Sequence, residues 1–188
     1  MEDKNSKFIV FFHGTFIPLQ GVEYIVRTAN ILKGHSDILF RFVGKGQTYN
    51  EVVEYVEKNR LSNVEFLGYV PVEDIPNYLQ KADICLGIFG DVPKTKRVIP
   101  NKVYEGIAMN KPVLTADTPA IREVFKDRLN ILLCKVADEK DLADKILELK
   151  EDRKLKNAIS NNGYQFFIQH ITSSVLVKKF LKDLHDKI

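Results

Sequence analysis

The chain has 188 residues, 45% of them hydrophobic and 28% charged, a composition that suits one compact domain over residues 1–188 and excludes a disordered polymer. Its 28 basic and 25 acidic residues are spread along the length and leave a net charge of +3, so no field marks it as a nucleic-acid partner. No run approaches the roughly 18 apolar residues of a membrane span, and the polar start "MEDKNSK" is no signal peptide, so a cytoplasmic protein is expected.

In chain order, six short apolar runs read as strands: "KFIVFF", "ILFRFVG", "VEFLGYV", "ICLGIF", "PVLTA" and "NILLC". They are too continuous for half-exposed antiparallel strands. Amphipathic stretches over 21–33, 49–60, 72–81, 101–109 and 120–125 separate them and read as helices. Strand alternating with helix predicts an α/β fold, a doubly wound, Rossmann-like parallel sheet of about six strands with helices on both faces. Leu142, Ile146 and Leu149 then mark a helix, another follows Lys154, and a helical C-terminal tail places Val177, Phe180, Leu181, Leu184 and Ile188 on one face. That face wants a partner, with self-association of the chain as one outcome. Cys85 and Cys134 lie in apolar runs without metal-ligand spacing and read as buried, reduced thiols.

In a doubly wound sheet ligands bind outside the carboxyl ends of the strands, which makes each strand-end loop a candidate. "FVGKGQT" lacks the spacing of a P-loop, no G-x-G-x-x-G follows the first strand, and no G-x-S-x-G is present. The acidic residues of a phosphoacceptor receiver domain are missing as well, since the corresponding places read "HGTF" and "LGYV". His13 closes the first strand and is expected to line a site without transferring a proton. The loop after the fourth strand carries Lys94, Lys96 and Arg97, then "PNK". Proline followed by asparagine reads as a helix start, with Asn101 available to cap the free amides. Lys102 beside that start makes a seat for phosphate, whereas a glutamate one turn on, Glu105, suits another part of the same ligand.

Five blocks, "FHGTFIPLQGVEYIVRTA", "FRFVGKGQ", "VEFLGYVPVEDIPNYLQKADICL", "PNKVYEGIAMNKPVLTADTPAIREV" and "NILLCKVADEKDLADKILELKED", resemble in this order the C-terminal, donor-binding half of retaining family 4 glycosyltransferases of GT-B architecture. The resemblance implies that Glu105 holds the donor ribose and that Lys102, Asn101, Arg97, Lys45, Gly14 and Thr15 serve the diphosphate. It further implies that Gly68, Tyr69 and Val70 flank the base, and that His13, Phe16 and Asp91 approach the sugar. Typical members carry an arginine and a lysine in the first loop, where this chain has Thr15 and Gln20. The family's E-x7-E pair sets a glutamate eight residues before Glu105, where Arg97 stands, with Asp91 the other candidate for the sugar contact. By resemblance no metal or other cofactor is needed, and the partners are a nucleotide sugar, probed first as a UDP-sugar, and a glycan or lipid-linked acceptor held by an N-terminal GT-B domain absent from this sequence. Polysaccharide or O-antigen type assembly at the inner face of a membrane is the implied setting. A GT-B sugar-nucleotide epimerase and a non-catalytic nucleotide-binding or interaction module are the alternatives.

Overall fold

The computed structural model describes residues 7–185. One six-stranded sheet runs through it, built from β1 (Phe8–His13), β2 (Ile38–Val43), β3 (Val64–Phe66), β4 (Ile84–Leu86), β5 (Val113–Ala116) and β6 (Leu132–Cys134). The spatial order is β3-β2-β1-β4-β5-β6 and every pairing is parallel. Five helices occupy the crossovers: α1 (Val22–Ile31), α2 (Tyr49–Lys58), α3 (Ile75–Lys81), α4 (Asn101–Ala108) and α5 (Pro119–Val124). Helices α6 (Glu139–Glu151), α7 (Arg153–His170) and α8 (Ser173–His185) follow β6.

Alternation along the strands feeds two cores. Val10 and Phe12 of β1 join α1, α2 and α6 on one face, while Phe11 joins α3, α4 and α5 on the other. Both faces are therefore buried, which explains the unbroken apolar runs. Three helices after β4 are capped as their sequences suggest: Thr118, Asp138 and Asp152 each accept first-turn N–H bonds, for α5, α6 and α7.

The structure corrects several boundaries. Strand β3 is shorter than the run "VEFLGYV", because the chain turns at Gly68 with φ of 70°. Strand β4 stops at Leu86, yet backbone bonds to β5 continue beyond it, from Gly87 N–H to Leu114 O at 2.9 Å and from Ala116 N–H to Ile88 O at 3.0 Å, and the Thr115 hydroxyl adds bonds to both the N–H and the carbonyl of Ile88. Pro76 lies in the first turn of α3, so residues 72–74 form a separate 3-10 turn. Asn101 does not cap α4. Pro100 holds the cap position and no side chain closes that helix end.

Candidate functional site

Strand order reverses between β1 and β4, both of which neighbour each other while their next partners lie on opposite sides. A cleft of about 520 Å³ opens there, lined by the end of β1, the first loop, α3 and the start of α4. The loops are packed backbone to backbone. Gly14 donates its N–H to Val43 O at 3.0 Å, and a Cβ on Gly44 would stand 2.0 Å from Gly14 O, so only glycine permits this approach. Gly14 itself has φ of 139°, and a Cβ there would lie 2.7 Å from Lys102 Nζ. The first loop is thus shaped around an ammonium that arrives from α4.

Lys102 and Glu105 stand three residues apart on α4 and share a face, and both line the cleft. Lys102 is only 6% exposed. Its Nζ donates to Gln20 Oε1 at 2.5 Å and lies 3.8 Å from the centre of the Phe12 ring. Burial pulls its pKa down, with the Glu105 carboxylate opposing the shift. Glu105 is half exposed, and partial burial raises its pKa against the pull of Lys102.

His13 stacks on Phe11 with ring centroids 5.5 Å apart, and its Nε2 lies 3.3 Å from Glu105 Oε2. Burial, aided by Lys102, lowers its pKa to about 4. At neutral pH the imidazole is therefore uncharged, and its contact with Glu105 is that of a dipole beside a carboxylate rather than an ion pair. The geometry also leaves Nε2 without a well-aligned hydrogen-bond partner.

Of the sequence-derived residues, Glu105, Lys102, Asn101, Gly14, Thr15 and His13 meet in this cleft. Others lie elsewhere. Phe16 has no exposed surface, packing against Phe12, Phe42, Tyr49 and Phe66, so its side chain belongs to the core instead of facing a sugar. Arg97 is exposed on a 3-10 turn and donates Nε to Pro93 O at 3.3 Å. Asp91 is exposed on the same loop. Lys45 is exposed beside the Tyr49 ring. Tyr69 is 81% exposed, Val70 packs against the core on the α3 side, and the Gly68 carbonyl accepts the Gly44 N–H at 2.7 Å. None of these lines the cleft.

Two contributions escaped the sequence reading. Gln20 entered it as the place of a missing lysine, yet it binds one from 82 residues away. The apolar wall comes from Val72, Ile75, Pro76 and Leu79 around the start of α3. The prolines that bracket this turn, Pro71 and Pro76, are the signal that could have directed attention there.

The family model described as glycosyl transferases group 1 matches residues 2–166. An uncharacterised glycosyltransferase of Methanocaldococcus jannaschii is 28% identical over 155 residues, covering 82% of this chain and 42% of that protein. The N,N'-diacetylbacillosaminyl-diphospho-undecaprenol alpha-1,3-N-acetylgalactosaminyltransferase of Campylobacter jejuni is 28% identical over 169 residues, covering 90% and 42%. The chain spans about two-fifths of the length of these relatives. Among solved structures, Anabaena HepE in complex with UDP has the same fold with a TM-score of 0.85 at 19% identity, covering 96% of this chain and 49% of that one. The C-terminal domain of a group 1 family protein from Francisella tularensis gives 0.78 at 21% identity, covering 89% and 88%.

Proposed function

The chain belongs to the group 1 glycosyl transferases, and from that premise we propose that the switch-point cleft holds the nucleoside diphosphate of a sugar donor, a UDP-sugar. The observation that carries this reading is the pairing of Lys102 and Glu105 on adjoining turns at an uncapped helix start. Free first-turn amides and an ammonium favour the diphosphate, and a carboxylate accepts O–H bonds from the vicinal ribose hydroxyls. The apolar wall from Val72 to Leu79 suits the flat face of a base. HepE, of the same fold, was solved with UDP, and this supports the choice of nucleotide.

In the proposed enzyme this domain supplies the donor, and a further GT-B domain supplies a glycan or lipid-linked acceptor. The sugar moves with retention of configuration at the cytoplasmic face of a membrane. Lys102 and the α4 amides stabilise the departing diphosphate, with no metal cofactor required. The undecaprenol-linked substrate in the name of the Campylobacter relative supports a lipid-linked acceptor.

Calorimetry with UDP and with uridine tests the assignment. Glu105→Gln keeps shape and removes charge, so both ligands should weaken by about 1–2 kcal/mol, roughly 5- to 30-fold. Lys102→Met, chosen because that side chain is buried, should weaken UDP and leave uridine nearly unchanged. Equal losses for the two ligands in Lys102→Met, or unchanged affinities in Glu105→Gln, would overturn the respective subsite.

A further inference from the structure

A buried ammonium is costly unless something holds it. Lys102 makes no ion pair at hydrogen-bond distance among the described residues. Its one side-chain acceptor is the Gln20 carboxamide oxygen, at 2.5 Å, and the Phe12 ring backs it at 3.8 Å. The titratable groups facing it are Glu105 on its own helix and His13 at the end of β1. Gln20 is itself fixed. It ends the 3-10 turn Pro18–Gln20, and its carbonyl accepts the Phe89 N–H at 3.1 Å from the loop after β4. An ammonium has three donors. One goes to Gln20, and the cleft that Lys102 lines is where further acceptors would come from.

We propose, on the basis of the donor reading above, that Gln20 is the positioning residue for the diphosphate: its neutral oxygen holds the Lys102 ammonium against the Gly14 turn without cancelling its charge. A neutral acceptor suits this task better than a carboxylate. It fixes direction while leaving the positive charge for the incoming phosphates, whereas a carboxylate would neutralise the lysine and repel the ligand. Burial lowers the pKa of Lys102 and the Glu105 carboxylate opposes the shift; the Gln20 acceptor, by favouring the charged form, adds to that opposition and extends diphosphate binding towards higher pH.

The test measures UDP and uridine affinity between pH 6 and pH 10 for the wild type, Gln20→Met, Gln20→Glu and Lys102→Gln. Gln20→Met keeps the length and removes the acceptor. It should weaken UDP about tenfold, spare uridine, and move the alkaline loss of UDP binding to lower pH. Gln20→Glu should also weaken UDP but move that loss to higher pH. Opposite displacements of the pH profile by two variants at one position are a signature that a merely structural role lacks. UDP binding by Gln20→Met with the wild-type affinity and profile would overturn the proposal, as would displacements in the same direction. If Lys102→Gln weakens UDP while neither Gln20 variant does, the donor reading stands and the positioning role falls. If the wild type binds none of UDP, GDP, ADP, CDP and dTDP, both fall.

Discussion

His13 shows how burial decides what a side chain can do. Its side chain lines the cleft, yet a pKa of about 4 makes it neutral through the physiological range, so it lies beside Glu105 without pairing with it as a cation. The shift has a consequence for stability. Between pH 6.5 and 4 the unfolded chain takes up a proton that the folded one refuses, so stability is complete above the unfolded value and is lost as pH falls towards 4. The loss is at most about 3 kcal/mol. Urea denaturation of His13→Gln across pH 4–7 should show a shallower decline than the wild type, with a constant offset for lost packing. Parallel declines would mean that His13 does not carry the acid sensitivity. At this scale the sequence pointed to Lys102 through the Pro-Asn helix start and to Glu105 through its first-turn place and the family resemblance, and both line the cleft. It hid Gln20, whose partner is 82 positions away, and it misplaced Phe16, a loop aromatic drawn inward by rings from β1, β2, β3 and α2.

Among the elements, the strands were legible as apolar runs, but their ends were not. Those ends depend on events invisible to periodicity: a left-handed Gly68 at β3, and a threonine hydroxyl from β5 that joins the backbone bonds at Ile88 just beyond β4. The tail is the reverse case, since its stripe was plain in the sequence and nothing among the described residues buries it. Val177, Phe180, Leu181 and Leu184 are between 44% and 64% exposed, and α8 has no buried side chain; Ile188, expected on the same face, lies outside the described residues. A variant ending at Thr172 should therefore keep its melting temperature within about 2 °C, because little apolar area is lost from the core. It should also bind UDP as the full chain does and show less concentration-dependent association in sedimentation. A large fall in melting temperature would show that α8 contributes to the core after all.

For the whole molecule, strand alternation implied a parallel doubly wound sheet, and the observed order places the reversal between β1 and β4. Topology then concentrates function, because the loop after β1 and the helix after β4 meet only at that reversal. The sequence made every strand-end loop a candidate and favoured the one after the fourth strand, with its cations and its "PNK" helix start. Folding selects among them: the first loop, α3 and α4 line the cleft, while Arg97, Asp91, Lys45 and Tyr69 stay outside it. No helix among the described residues is long and apolar enough to cross a membrane.

The most direct test of a nucleotide seated at this reversal is a titration of the isotopically labelled domain with UDP, followed by backbone amide shifts. The largest changes should fall on Gly14, Thr15, Gln20, Asn101, Lys102 and Glu105, with α8 and the outer face of α2 silent. Saturable changes centred on the groove between α1 and α2 or on α8, with the amides of the first loop and α4 unmoved, would contradict the account.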